Sequence, residues 1–133
     1  MTKTDPRTIL YIEDDLEMIN LVTVILNRSG YVVKSANSGS KGLELIEQEL
    51  PDLILLDLMM PEMDGWTLYQ QLKSSESTSN IPVIIITAKS QPIDRVLGLH
   101  VAKVDDYIAK PFHPQELLAS INRVLESKAG KQK

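Results

Sequence analysis

The sequence predicts an α/β fold in which strands and helices alternate along the chain. Two runs consist of apolar residues alone, Leu53 to Leu56 and Val83 to Ile86. Such runs are typical of strands that are buried on both faces of a parallel sheet. A stretch with helical character follows each predicted strand, so the strand–helix order occurs five times. Chains with this order form a parallel sheet with right-handed connections and helices on both faces.

Three strands and two helices are predicted in the first half of the chain. Thr8 to Ile12 is rich in β-forming residues, and apolar side chains then recur at helical spacing until Gly30 gives a stop signal. A turn at Asn37 to Gly39 offers capping side chains to the second helix, which Pro51 ends. The predicted elements are strand 8–12, helix 16–26, strand 31–33, a helix that includes 43–50, and strand 53–57.

The second half is predicted to add two strands and three helices. Asp64 can cap the third helix, and Pro82 stands at the start of the fourth strand, where a missing backbone donor is tolerated. Ser90 and Pro92 open a fourth helix, and Pro114 opens the last one. The predicted elements are a helix over 66–72, strand 82–86, helix 90–102, strand 107–109 and helix 114–125.

Composition and charge limit the classes of function. The chain has 133 residues, 43% hydrophobic and 24% charged, as in one soluble globular domain. A formal net charge of −4 argues against nucleic-acid binding by this chain. There is no cysteine, no signal peptide and no apolar run of the roughly 18 residues that a membrane span needs, so we expect a cytoplasmic protein. The predicted boundaries are an N-terminal extension at 1–7, one domain at 8–127 and a flexible tail at 128–133.

Charged and hydroxyl side chains follow the predicted strands. A parallel sheet brings the carboxyl ends of its strands to one edge, where ligands bind in open α/β folds. Residues that are distant in sequence are therefore expected to meet there. The first strand is followed by Glu13, Asp14 and Asp15, the third ends in Asp57, the fourth leads to Thr87, and the fifth leads to Lys110.

This set of residue types favours phosphoryl transfer assisted by a metal ion. Clustered carboxylates repel each other unless protons or a metal separate them, and oxygen ligands without His or Cys select a hard cation, Mg²⁺ or Mn²⁺. A carboxylate such as Asp57 can attack phosphorus when cations neutralise the phosphoryl group. We expect the metal on Asp14 and Asp57, the ammonium of Lys110 on the opposite side, and a hydrogen bond from the Thr87 hydroxyl.

The motifs, taken together, resemble the receiver domain of two-component response regulators. The similarity covers roughly Thr8 to Leu125 and implies a flavodoxin-like, doubly wound five-stranded parallel sheet of order 2-1-3-4-5 with five helices. The motifs that carry it are Glu13-Asp14, the run from Asp57 through Pro61 to Gly65, Thr87-Ala88, Asp106-Tyr107 and Lys110-Pro111-Phe112.

The resemblance implies a role for each site residue. Asp57 is the phosphoacceptor, with a histidine kinase or histidine phosphotransfer protein as phosphoryl donor. The domain would then act as a regulator rather than an enzyme. The implied metal ligands are Asp14, Asp57 and the Met59 carbonyl, with Glu13 as an indirect companion; Thr87, Ala88 and Lys110 bind phosphate, Thr87 and Tyr107 form the switch, and the Lys110-Pro111 bond is cis.

Two departures from the family pattern concern the surface. Lys103-Val104 stands where such domains usually have Gly-Ala, which alters the end of the predicted fourth helix. Ser120 stands where one DNA-binding subfamily has an arginine used in dimerisation, which argues against that dimer. We nevertheless expect an apolar contact face for self-association or a partner, formed by the fourth helix with the fifth strand and last helix. Its predicted residues are Ile93, Val96, Leu97, Leu99, Val101 and Val104.

Several other interpretations remain open from sequence. Asp57 alone could cap a strand end, Asp15 is better explained as a helix cap, and Tyr107 could be an ordinary half-buried aromatic residue. The whole chain could be a receiver-like interaction module that is not phosphorylated. It could also be a Mg²⁺-dependent phosphohydrolase, although Met59 stands where such enzymes often carry a second acid.

Overall fold

The computed structural model describes residues 6–58, 65–88 and 104–131, and all structural statements refer to these ranges. Five strands form one parallel sheet in the order β2-β1-β3-β4-β5. This confirms the predicted fold class and the strand order that the family resemblance implies. The strands are β1 (Thr8–Ile12), β2 (Val32–Ala36), β3 (Leu53–Asp57), β4 (Val83–Ala88) and β5 (Asp106–Lys110).

Four helices flank the sheet in the described part of the chain. They are α1 (Leu16–Arg28), α2 (Gly39–Gln48), α3 (Gly65–Ser74) and the C-terminal helix (Pro114–Lys131). The predicted helix at 90–102 lies outside the described residues, as does the proposed cap Asp64. The backbone of the C-terminal helix continues past residue 127, where we expect the domain to end, and the flexibility of 128–133 stays a prediction.

Successive residues of β1 pack into two different hydrophobic layers. Leu10 and Ile12 face the layer that contains residues of α2 and α3, whereas Ile9 and Tyr11 face the layer that contains residues of α1 and the C-terminal helix. All five residues of β3 are buried, because the central strand has helices on both faces. This burial explains why the first four residues of β3 form a continuous apolar run.

Capping side chains begin the first two helices, and a glycine follows the end of α1. Asp15 caps α1 by accepting a hydrogen bond from the Glu17 amide over 3.0 Å, which confirms the predicted capping role. Gly30 has φ of 93°, a left-handed conformation that suits glycine after a helix end. Ser38 caps α2 through the Lys41 amide.

In the described residues, no helix is long and apolar enough to cross a membrane.

Gly65 allows α3 to begin against the backbone at the end of β3. A Cβ atom at this position would lie 2.7 Å from Leu58 Cα and 3.2 Å from the Asp57 carbonyl oxygen. Backbone atoms cannot rotate away as a flexible side chain can. The close approach of the helix therefore requires glycine.

The substitution Gly65→Ala is expected to lower the free energy of unfolding by about 1–3 kcal/mol, because the added methyl group forces apart α3 and the end of β3. Urea denaturation would measure the change. Gly42→Ala is the matched control, because its Cβ would meet the terminal carbon of Ile12, which can rotate away. Equal losses of stability in the two variants would contradict the explanation.

Candidate functional site

The ends of β1, β3 and β5 bring two acids and a lysine into contact. Asp57 is the last residue of β3, Lys110 is the last residue of β5, and Glu13 follows β1. Lys110 Nζ donates to Glu13 Oε1 over 2.9 Å and to Asp57 Oδ2 over 3.3 Å. Because β4 lies between β3 and β5, the lysine side chain extends past the end of β4 to reach both acids.

Backbone hydrogen bonds hold the chain that carries the two acids. The Glu13 amide donates to the Ala36 carbonyl over 2.9 Å, which continues the β1–β2 ladder past its last pair. The Leu58 amide donates to the Ile86 carbonyl over 3.1 Å, which does the same for β3 and β4. Both acids are therefore attached to a backbone that is part of the sheet.

Glu13 is buried and surrounded by hydrogen-bond donors. Its side chain is 1% exposed, and an ionised carboxylate in such a place requires partners. Oε1 accepts from the Tyr11 hydroxyl over 2.8 Å as well as from Lys110, and Oε2 accepts from the Asp15 amide over 3.2 Å. These three donors orient the carboxylate toward the centre of the site.

The burial and charges of the site shift three pKa values. Burial raises the pKa of Glu13, and the nearby Asp57 carboxylate acts in the same direction. Burial alone would lower the pKa of Lys110, but the hydrogen bond to Glu13 and the charges of Asp57 and Glu13 raise it overall. Burial also raises the pKa of Tyr11, with Glu13 adding to the effect. Lys110 thus stays an ammonium and Tyr11 stays a protonated hydrogen-bond donor.

Three carboxylates could hold a divalent cation together. Glu13, Asp14 and Asp57 each offer an oxygen atom, and these atoms all lie within 4.8 Å of one another. Glu13 and Asp57 are buried, whereas Asp14 is exposed and approaches from the solvent side. A set of oxygen donors without nitrogen or sulfur suits a hard ion such as Mg²⁺. With Lys110 on Asp57 as well, the site can surround an anionic group with positive charge.

The predicted partners on the neighbouring strand and loop are described in part. Thr87 and Ala88 lie at the end of β4, in register with Ala109 and Lys110 of β5. The backbone therefore reaches the predicted site, while the side chains of Thr87 and Ala88 lie outside the described part of the structure. Met59, the predicted carbonyl ligand, also lies outside the described residues.

Tyr107 and the residues after β5 have defined positions. Tyr107 is 8% exposed and packs in the layer of α2 and α3, so it lies in the other layer from Ile108 of the same strand. Its role as a switch stays a prediction. The Lys110–Pro111 peptide bond is cis, the form that the family resemblance implies.

Val104 does not contribute to the predicted apolar contact face, because it is 7% exposed and belongs to the hydrophobic core. The other residues predicted for this face, at 93–101, lie outside the described part of the chain.

Two sets of contacts were not predicted from the sequence. The first is the hydrogen bond from Tyr11 to Glu13. A signal for it exists, because Tyr11 stands two residues before the acid and alternate residues of a strand share a face. The second is at Asp106, which accepts hydrogen bonds from both Ser120 and Arg123 of the C-terminal helix. From the sequence, Ser120 marks the absence of a dimer contact; in the structure it donates a hydrogen bond to Asp106 within the chain.

The family model for the response regulator receiver domain matches residues 9–122. This chain belongs to that family. Among curated proteins, it is 44% identical over 117 residues to the DNA-binding dual master transcriptional regulator RpaA of Synechocystis sp., covering 88% of this chain and 48% of the relative. It is 39% identical over 119 residues to the alkaline phosphatase synthesis transcriptional regulatory protein PhoP of Bacillus subtilis, covering 90% and 48%. The chain thus spans about half the length of these relatives.

Solved structures show the same fold. A putative response regulator from Chloroflexus aurantiacus matches with a TM-score of 0.86 and 33% identity, covering 92% of this chain and 99% of that one. A CheY-like response regulator receiver domain protein from Methanospirillum hungatei also matches with a TM-score of 0.86, at 29% identity, covering 96% and 99%. The described sheet, which has the strand order that the resemblance implies, is therefore that of a receiver domain.

Replacement of Lys110 by alanine is expected to destabilise the fold by roughly 1–3 kcal/mol, because it leaves Glu13 and Asp57 buried without the ammonium. Adding Glu13→Gln should recover part of this loss, since one of the two buried charges is then removed. Chemical denaturation of the two single variants and the double variant would measure the coupling.

Lys34→Ala provides the matched control, because Lys34 pairs with Glu49 while both side chains are largely exposed. Its expected effect is below about 1 kcal/mol. Strictly additive effects of Lys110→Ala and Glu13→Gln would argue against the electrostatic explanation.

Proposed function

We propose that this receiver domain accepts a phosphoryl group on Asp57 in a reaction that needs Mg²⁺ or Mn²⁺. The donor is a histidine kinase or a histidine phosphotransfer protein. The observation that supports this most strongly is the position of Asp57, which is 2% exposed, bonded to Lys110 over 3.3 Å and part of the three-carboxylate cluster. A buried carboxylate between an ammonium and a cation site is suited to nucleophilic attack on an anion.

The reaction forms one bond and breaks one. A carboxylate oxygen of Asp57 attacks phosphorus, the bond between phosphorus and the donor imidazole nitrogen breaks, and the imidazole leaves with the electron pair. Lys110 stabilises the negative charge on the phosphoryl oxygens throughout. A divalent cation held by Asp14, Asp57 and the Met59 carbonyl, with Glu13 beside it, would neutralise the remaining charge and bring the phosphoryl group to Asp57.

The phosphorylated state would act through β4 and β5. In this proposal, Thr87 and Ala88 at the end of β4 bind phosphoryl oxygens together with Lys110. Movement of the Thr87 hydroxyl toward the phosphoryl group gives Tyr107 space, which shifts the population between two conformations. The affected surface is the predicted contact face formed by helix 90–102, β5 and the C-terminal helix, used for self-association or for an output partner.

The alternatives have less support. An interaction module that is not phosphorylated would have no need for a lysine paired with two buried acids at the end of the sheet. A phosphohydrolase would need an acid near the leaving group, and position 59 is a methionine. We therefore propose a regulatory domain of the cytoplasm that takes part in its own phosphorylation and dephosphorylation, with the receiver at residues 8–127.

Incubation of the native chain with acetyl phosphate and Mg²⁺ is expected to add the mass of one phosphoryl group, because Asp57 is the nucleophile. Intact-protein mass spectrometry would measure the product, with and without a chelator. Asp57→Asn and Asp14→Asn should each prevent the gain, the first by removing the nucleophile and the second by weakening the cation site.

Asp52→Asn is the matched control, because Asp52 lies just before the opposite end of β3 and is exposed. This variant should be phosphorylated like the native chain. The proposal would be refuted if the native chain gained no mass with Mg²⁺. It would also be refuted if the Asp57→Asn variant gained as much mass as the native chain.

The face of α1 beside the site is suited to docking of the protein that donates the phosphoryl group. Leu16, Leu21 and Val24 of α1 are large apolar residues that are 69%, 53% and 51% exposed. Leu21 also borders a cavity of about 370 Å³ that reaches the site lysine. An apolar surface that reaches the site lysine favours a protein donor, which must bring its phosphorylated histidine to Asp57. The cavity is lined by Met18, Leu21, Lys110, Pro111 and Phe112.

Leu21→Asp is expected to slow phosphoryl transfer from a histidine kinase at least about tenfold, because it places a charge in the apolar contact. Phosphorylation by acetyl phosphate should not change, since that donor is too small to need the surface. The rate would be measured with a radiolabelled kinase that phosphorylates the native chain. Leu50→Asp is the control, because Leu50 is also 53% exposed but borders a different groove. Equal effects of the two variants would exclude α1 as the docking face.

A further inference from the structure

Tyr11 places a hydroxyl group directly beneath the acidic site. Tyr11 is 0% exposed, and its ring packs in the layer of α1 and the C-terminal helix. The other residues of β1 from Ile9 to Ile12 are aliphatic. The hydroxyl donates to Glu13 Oε1 over 2.8 Å, so a buried polar group of the core is directed at the site from below.

Tyr11 and Lys110 donate to the same oxygen atom. Lys110 Nζ lies 2.9 Å from Glu13 Oε1 but 3.3 Å from Asp57 Oδ2, so the lysine is closer to Glu13. A phosphoryl group on Asp57 would draw the ammonium toward its own oxygens. Glu13 Oε1 would then lose a charged donor while remaining buried, and a buried acceptor that loses its partner is costly.

We propose that Tyr11 is a positioning residue that allows Lys110 to move from Glu13 to the phosphoryl group. Its hydroxyl keeps Glu13 Oε1 hydrogen-bonded and in place after the lysine leaves. Without the hydroxyl, Glu13 retains Lys110 more strongly, and the phosphorylated state is less favourable. This inference rests on the proposed phosphoacceptor function of Asp57.

The hydroxyl can be separated from the packing of the ring. A phenylalanine ring would fill the same volume in the core, and substitutions that conserve volume are well tolerated. Tyr11→Phe therefore removes the donor to Glu13 and leaves the hydrophobic layer filled. Glu13, Asp14 and Asp57 are all present in this variant, so the cation site keeps its three carboxylates.

The test compares two titrations of native and Tyr11→Phe protein by calorimetry. The first titrates Mg²⁺ alone, and the second titrates beryllium fluoride, a phosphoryl mimic, at saturating Mg²⁺. We expect the Mg²⁺ affinity to stay within about twofold and the beryllium fluoride affinity to fall about tenfold, the effect of one hydrogen bond to a charged group. A residue that merely supports the fold would not weaken one affinity and leave the other unchanged.

Two further variants complete the design. Tyr31→Phe removes a tyrosine hydroxyl that donates to Asn122 away from the site, and it should change neither titration. In a Glu13→Gln background, Tyr11→Phe should have a smaller effect on beryllium fluoride affinity than in the native background, because the buried charge that Tyr11 satisfies is absent.

The outcomes separate this inference from the proposed function. Native protein that binds neither Mg²⁺ nor beryllium fluoride would overturn both. Native protein that binds both, with equal beryllium fluoride affinity in Tyr11→Phe, would overturn the role of Tyr11 alone. A parallel loss of both affinities in Tyr11→Phe, or an undiminished effect in the Glu13→Gln background, would also overturn it.

Discussion

The ion pairs of Lys110 with Glu13 and Asp57 are the interaction on which the site depends. Two buried carboxylates at the edge of a sheet repel each other, and burial makes the repulsion stronger than it would be in water. The ammonium reduces this repulsion, yet it comes from a strand that is separated from β3 by β4. The strand order therefore determines the electrostatics of the site, because another order would place the Lys110 ammonium away from the two carboxylates.

The hydrophobic core supplies the stability that the charged groups at the sheet edge do not supply themselves. β3 is wholly buried between two hydrophobic layers, and its ladder with β4 continues past Asp57. Apolar burial at the centre of the sheet stabilises the domain by far more than a few charged contacts at one edge. The edge can thus carry groups chosen for chemistry, at some cost in stability that the core offsets.

Much of this could be predicted from the sequence, for physical reasons that also set the limits. The apolar runs of β3 and β4 predict buried parallel strands, and parallel strands bring their last residues together, which is enough to predict the meeting of Asp57 with Lys110. The predicted lengths of β2 and β5 are too short. Both strands include polar residues, such as Lys34 and Asp106, that tertiary contacts accommodate. The spacing of Tyr11 and Glu13 places both on one face of the strand, but whether the hydroxyl reaches the acid depends on side-chain geometry. The pairing of Asp106 with Ser120 and Arg123 depends on how the C-terminal helix packs against β5, which no spacing rule supplies.

Asp106 has a mechanical consequence for the opposite end of β5. The strand carries Lys110 at its end and Asp106 at its start, and Asp106 is held by Ser120 and Arg123 on successive turns of the C-terminal helix. These hydrogen bonds join β5 to the C-terminal helix. Apolar contacts join them as well, because Ile108 of the strand and Leu117 and Ile121 of the helix lie in the same hydrophobic layer. They are expected to shift as a rigid pair, so a displacement at the lysine would arrive at the far side of the molecule as a change in helix orientation.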